Sequence, residues 1–152
     1  MEISDKLCDA IQVAYLVHHA QKDKAGFDYA FHALRVGLGL LPDNDAAIVG
    51  VLHDAIEDFP FIRRAEFFRK NIRELHGDRI ADAIDLLTHD KSVSYDDYIL
   101  TLKSNPLARK VKLADLRDNL REDRLDAARK NGFDVDSHRA KYEAAVKVLE
   151  AK

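Results

Sequence analysis

Val49-Gly50-Val51-Leu52-His53-Asp54-Ala55-Ile56-Glu57-Asp58 sets an imidazole and three carboxylates on a segment that is otherwise apolar. At about 100° per residue the four polar side chains fall within roughly 140° of arc, so a helix through this stretch presents them on one side. Burying such a cluster is unfavourable unless something binds it. An amphipathic helix with a solvated polar stripe is the plain alternative. Two distant residues shift the balance. His32 stands alone in Tyr29-Ala30-Phe31-His32-Ala33-Leu34-Arg35-Val36, and Asp115 in Val111-Lys112-Leu113-Ala114-Asp115-Leu116. Singly, these read as a satisfied core histidine and an ion-paired buried carboxylate. Together, His32, His53, Asp54 and Asp115 supply two imidazoles and two carboxylates, a set that suits a borderline or hard divalent ion with positions left open for water and substrate.

Outward from this stretch, apolar periodicity predicts helices over 5–22, 28–41, 44–58, 62–75, 78–89, 94–104, 106–120 and 136–150. Gly26, Pro42-Asp43, Phe59-Pro60, Gly77, Asn105-Pro106 and Asn131-Gly132 punctuate them with the breakers and caps that helix ends favour. Strand-like alternation is absent, so the expected class is an all-α bundle of about eight helices. The last helix, beginning near Asp136-Ser137, offers Ala144, Ala145, Val148 and Leu149 as an inward stripe.

A chain of 152 residues, 47% of them hydrophobic, fits one domain over 1–152 with a single core. The formal charge of -3, with both signs interspersed, provides no basic field for a nucleic-acid polymer. Cys8 is the only cysteine, which excludes an intramolecular disulfide and a thiolate metal cluster; it reads as a small apolar residue on the first helix. Met1-Glu2-Ile3-Ser4-Asp5-Lys6 lacks the basic-then-apolar pattern of a leader, and no apolar run reaches the roughly 18 residues needed to span a bilayer. The expectation is a cytoplasmic protein that avoids membranes.

The ordered series of motifs resembles the HD phosphohydrolase superfamily, and its flanks resemble the alarmone hydrolase branch, the RelA/SpoT homologues and their stand-alone small hydrolases. The resemblance runs from about Ala14 to Arg121 and rests on Gln21-Lys22-Asp23, Gly26 and Tyr29 before His32, the stretch from Leu52 to Asp58, Lys112-Leu113-Ala114-Asp115, and Asn119-Leu120-Arg121. It implies an HD-domain bundle in which His32, His53, Asp54 and Asp115 hold one divalent ion, with Mn²⁺ the first expectation. Glu57 and Asp58 form the implied catalytic pair, and Lys22 and Asn119 the implied substrate contacts. The implied reaction removes the 3′-pyrophosphate of guanosine tetra- or pentaphosphate, leaving GDP or GTP and pyrophosphate. About 30 residues follow Arg121, too few for a synthetase domain, so pairing with a separate alarmone synthetase is a further implication. The chain departs from the family pattern at Gln21, where members usually carry an arginine able to lie against a purine, at Ala33 for a proline, and across Leu116-Arg117-Asp118-Asn119.

A highly anionic substrate calls for cations around the ion. Lys22 is placed by motif, whereas Lys24, Lys91, Lys112 and Arg121 also read as solvated charges or structural ion pairs. Asn119 lies one turn after Asp115 and also reads as a helix C-terminal residue. His76 and His138 read as helix-end and polar-face residues, and the spacing of Thr88-His89-Asp90-Lys91 lacks the paired histidines of a two-metal centre. Two other readings stand beside the alarmone hydrolase: the same chemistry on another phosphorylated nucleotide, favoured by Gln21, and a nucleotide-binding regulatory module without turnover, opposed by the complete ligand set.

Overall fold

The computed structural model describes residues 3–58 and 65–151. Among them lie nine helices: α1 (Asp5–His18), α2 (Tyr29–Leu38), α3 (Asn44–Leu52), α4 (Ala65–His76), α5 (Asp78–Leu87), α6 (Tyr95–Leu102), α7 (Pro106–Asn119), α8 (Glu122–Lys130) and α9 (Val135–Glu150). No strand forms among the described residues; a single antiparallel bridge joins Lys22 to Asp28. Helix starts follow the capping chemistry in the sequence. Ser4, Asp43, Ser94, Asn105 and Asp134 each turn a side-chain oxygen onto an otherwise unsatisfied N–H of the first turn. Pro106 occupies the first position of α7, where its missing N–H costs nothing.

α3 is the axis of the bundle. Every residue from Ala46 to Leu52 is buried, because α1, α2, α5 and α7 surround it. The closest crossing is with α2, at Gly37 and Gly50. A Cβ on Gly37 would stand 2.2 Å from Val51 Cγ2, and one on Gly50 would stand 2.8 Å from the Gly37 Cα. Two glycines therefore let the α2 and α3 backbones touch, and this contact fixes where the polar residues on both helices meet.

The helices predicted over 5–22, 28–41, 44–58, 78–89, 94–104 and 106–120 recur with trimmed ends as α1, α2, α3, α5, α6 and α7, the one predicted over 136–150 recurs as α9, and several findings differ from expectation. α1 stops at His18, and residues 21–28 form a closed loop held by Asp23 N–H to the Phe27 carbonyl and Tyr29 N–H to the Gln21 carbonyl, both at 2.9 Å. α3 stops at Leu52: Ala55 N–H bonds to the Leu52 carbonyl three residues back, so His53 to Asp58 continue as turns and not as the predicted helix to 58. α8 was not expected. Its nine residues carry only Leu125 and Ala128 as buried apolar side chains, too little for a periodic stripe, so the helix count rises from about eight to nine among the described residues. On α9, Ala145, Val148 and Leu149 pack inward as expected, but Ala144 is exposed and Tyr142 and Val146 pack as well. Cys8 lies on α1 but is exposed. Phe59-Pro60 and the start of the helix predicted from 62 fall outside the described residues. No helix among the described residues is long and apolar enough to cross a membrane.

Candidate metal centre and cleft

His32 from the second turn of α2, His53 at the end of α3 and Asp115 from α7 converge directly behind the floor of a cleft of about 460 Å³, whose lining includes Asp54 and Asp115. One ligand atom from each of the three lies within 4.8 Å of the others, and all three residues are buried. His32 Nε2 is 3.1 Å from Asp115 Oδ1, and His53 Nε2 is 3.7 Å from the same oxygen. Asp54 stands beside this trio with Oδ2 2.9 Å from His53 Nε2.

Both imidazoles are oriented from behind. His53 Nδ1–H donates to the Gly50 carbonyl at 2.8 Å, and His32 Nδ1–H donates to Asp118 Oδ2 at 2.7 Å. Each ring is thereby left with Nε2 turned toward the carboxylates of Asp54 and Asp115, and neither Nε2 makes a well-formed hydrogen bond despite its burial. Two buried imidazole nitrogens that face the carboxylates of Asp54 and Asp115 without a well-formed hydrogen bond fit a divalent cation, and the mixed imidazole and carboxylate donors suit the borderline and hard ions of the sequence expectation. The electrostatics agree. Burial alone would push both imidazoles down, yet Asp54 and Asp115 hold His53 well above the ordinary histidine range, and Asp115 and Asp118 raise His32. The pocket favours positive charge at Nε2, whether proton or metal.

Asp115 is the hub of the floor. Burial opposes its ionisation, but Lys112 first, then His32 and His53, hold its carboxyl well below the usual carboxylate range. Lys112 Nζ sits 2.8 Å from Asp115 Oδ2, so this lysine is a buried ion-pair partner. Asn119 Nδ2 donates to Asp115 Oδ1 at 2.6 Å and to its carbonyl at 3.1 Å. Asn119 lines the cleft, yet in this structure its amide holds Asp115 in place. Asp54 accepts a hydrogen bond from the Tyr29 hydroxyl.

The remaining expected site residues lie around the mouth. Glu57 and Asp58 both line the cleft, but they engage opposite sides. Glu57 pairs with Lys91, whereas Asp58 Oδ2 accepts from Gln21 Nε2 at 2.9 Å. Burial first, and then the charge of Asp54, raise the Asp58 carboxyl despite the Gln21 bond. Gln21 Oε1 in turn accepts from His18 Nδ1 at 2.8 Å, so Gln21 links His18 to Asp58. Lys22 lines the rim and pairs with Asp28 at 2.5 Å. Arg121 lies outside the cleft lining, with Asp123 at 2.8 Å and Asp118 at 3.8 Å.

Sequence reasoning missed Asp118, Tyr29 as a partner of Asp54, and Arg124. Asp118 takes the His32 bond together with Arg35 Nε at 2.8 Å and Nη2 at 3.0 Å, and these charges hold its carboxyl below the ordinary range against the effect of burial. Its spacing carried a signal. Lys112, Asp115 and Asp118 recur every three residues on α7 and share a face. Arg124, on the unexpected α8, is buried beside Asp23 at 3.1 Å and Asp118 at 3.4 Å.

No family model matches the chain. Among solved structures, one of a metazoan ortholog of SpoT that hydrolyzes ppGpp and plays a role in starvation responses superposes with a TM-score of 0.66. The match covers 98% of this chain and 96% of that chain, at 21% sequence identity. The chain has the HD-domain fold. At that identity the likeness is one of fold, and it spans the HD bundle from end to end, α8 and α9 included.

Proposed function

We propose that this chain is a metal-dependent phosphohydrolase that removes the 3′-pyrophosphate of guanosine tetra- or pentaphosphate, giving GDP or GTP and pyrophosphate. The observation that carries this reading is the buried convergence of His32 Nε2, His53 Nε2 and an Asp115 oxygen within 4.8 Å of one another, with no well-formed hydrogen bond at either nitrogen, behind a cation-lined cleft. The shared fold with a ppGpp-hydrolyzing SpoT ortholog supports the choice of substrate. His32, His53, Asp54 and Asp115 would hold the ion, with Mn²⁺ first among the candidates. When bound there, a divalent ion supplies Lewis acidity toward a phosphoryl oxygen and lowers the pKa of water.

The chain's own residues do the rest. Lys22 and Asn119 hold the phosphates and ribose, with Lys22 exchanging Asp28 for phosphate and Asn119 exchanging one of its two bonds to Asp115 for the ligand. A water oxygen bonds to the phosphorus next to the ribose, and the bond from that phosphorus to O3′ breaks. Glu57, at the solvent-facing mouth, is suited to accept the proton from water. Asp58, whose carboxyl is raised by burial and by Asp54, is suited to give a proton to the departing O3′. Gln21 keeps a second reading in play, because its side chain is committed to Asp58 and His18 and is not free to face a purine. In that reading the same centre acts on another phosphorylated nucleotide.

Product analysis decides between them. Chelator-treated protein is assayed with and without Mn²⁺ on guanosine tetraphosphate and on a panel of nucleoside monophosphates. Mn²⁺-dependent GDP and pyrophosphate support the proposal, orthophosphate from another nucleotide replaces the substrate, and no turnover with metal bound refutes a hydrolase acting on these substrates.

A further inference from the structure

Cations line the cleft from end to end, but they divide into two kinds. Lys22 pairs with Asp28, Lys91 with Glu57, Lys112 with Asp115, and Arg124 with Asp23 and Asp118. Lys24 and Lys141 have no carboxylate within ion-pair distance among the described residues. Both lie over aromatic faces instead. Lys141 Nζ is 3.8 Å from the Tyr95 ring centroid, and Lys24 Nζ is 4.7 Å from that of Phe133 and 6.0 Å from that of Tyr142. Ring faces compensate a cation only weakly, by about 0.5–1 kcal/mol at exposed sites, so two cations held this way remain available to a stronger anionic partner.

Their positions are built by the fold. Lys24 sits on the closed loop between α1 and α2, and its carbonyl accepts from Asn131 Nδ2 at 3.3 Å, which pins the loop to the turn after α8. Lys141 comes from the first half of α9, and Tyr142 beside it also lines the cleft. The two ammonium groups feel one another. Partial burial first, then repulsion from Lys141, lowers the Lys24 ammonium below the usual lysine range; attraction to Asp115 opposes this and Arg124 adds to the repulsion. Like charges on one cleft wall, neither paired with a carboxylate, repel one another and become favourable when an anion bridges them.

We infer that Lys24 and Lys141 form a second anion subsite on the outer wall of the cleft, which takes a phosphate or diphosphate carried by the substrate at the end remote from the bond that is cleaved. The inference rests on the nucleotide-hydrolase reading above for the placement of the cleaved end, while the subsite itself stands on the cleft's geometry. It selects among phosphorylated nucleotides. A ligand with phosphate groups on both sides of the ribose spans metal floor and outer wall, whereas a ligand with one phosphate reaches only one of them.

Calorimetry on the chelator-treated full chain tests this without turnover, with guanosine 3′,5′-bisphosphate and guanosine 3′-monophosphate as probes. Wild type is expected to bind the bisphosphate about tenfold or more tighter, the magnitude of a charge-assisted phosphate contact. In Lys24→Met/Lys141→Met the preference is expected to shrink to about twofold or less while the 3′-monophosphate binds as before, and Lys24→Arg/Lys141→Arg is expected to restore it. Lys147→Met, on an exposed part of α9, is expected to leave the preference unchanged. Equal binding of the two probes by wild type, a preference that survives the double Met change, or an equal loss in Lys147→Met overturns the subsite. A preference that the double variant erases, in a protein that hydrolyses neither guanosine tetraphosphate nor a monophosphate, leaves the subsite standing and refutes the hydrolase reading instead.

Discussion

The floor and the outer wall of one cleft are built on opposite plans. On the floor, His32, His53, Asp115 and Asp118 are nearly without solvent exposure, and each ring or carboxylate is held by named partners on α2, α3 and α7. On the wall, Lys24, Phe133, Lys141 and Tyr142 are exposed or half-buried, and the two lysines rest on ring faces, Lys24 on Phe133 and Tyr142 and Lys141 on Tyr95. The floor is positioned before anything binds, so catalytic geometry there costs no reorganisation on binding. The wall keeps its cations loosely held and adapts to a ligand. The difference teaches that substitutions on the floor should alter metal and chemistry, and substitutions on the wall should alter affinity alone.

The largest expected effect is at the floor. Asp54→Ala removes the carboxylate beside His53 Nε2 and is expected to abolish metal binding and to reduce turnover by about 10³-fold or more. Metal content by elemental analysis, read beside product release, checks it. A variant that turns over at the wild-type rate with no dependence on metal breaks the assignment of the floor. Glu57→Ala separates metal from proton transfer. Metal content is expected to be retained and turnover to fall about 10²–10⁴-fold, the range for loss of a general acid or base. Loss of metal in this variant would place Glu57 on the floor and not at the mouth.

An intermediate effect is expected one step behind the ligands. Asp118→Ala leaves His32 without the acceptor that fixes its tautomer and ring plane, and it leaves Arg35 and Arg124 without their shared carboxylate. Metal affinity is expected to fall about 10–100-fold, as measured for partners of this kind in other metal sites. Asp118→Asn keeps an acceptor oxygen for His32 and should lose less. Equal metal affinity in wild type and Asp118→Ala, by competition with a metal-binding dye, would show that packing alone orients His32.

The same contrast explains what could be read from the sequence. His32 and Asp115 were visible because each interrupts an apolar run, and burial of a polar group in such a run calls for a partner. The helices with strong caps or punctuation were visible too, α7 after Asn105-Pro106 most clearly. The end of α3 was hidden, because His53 to Asp58 keep helical spacing in sequence while the backbone tightens after Leu52. α8 was hidden because its composition is polar; its signal lay in charge, with Glu122 and Asp123 in the first turn, Arg129 and Lys130 in the last, and Asn131-Gly132 closing it. The wall escaped notice for a related reason. Lys24, Phe133 and Lys141 are each ordinary surface residues, and only the folding of the loop after α1 against the turn after α8 makes them neighbours.

The smallest expected effect tests the contrast most sharply. Phe133 carries the ring under Lys24 and packs on His138 at 4.2 Å, remote in sequence from every floor ligand. Removing the ring in Phe133→Ala frees the Lys24 side chain and withdraws an aromatic face from the cleft, interactions worth about 0.5–1.5 kcal/mol, or roughly two- to twelvefold in affinity. KM for the nucleotide should therefore rise within that range, while kcat and metal content stay near wild type. The partition between the two constants carries the argument, because it tells uniform binding from transition-state stabilisation. A fall in kcat of about a hundredfold with unchanged KM would mean that the wall acts on the reacting atoms, and floor and wall would then be one catalytic unit instead of two.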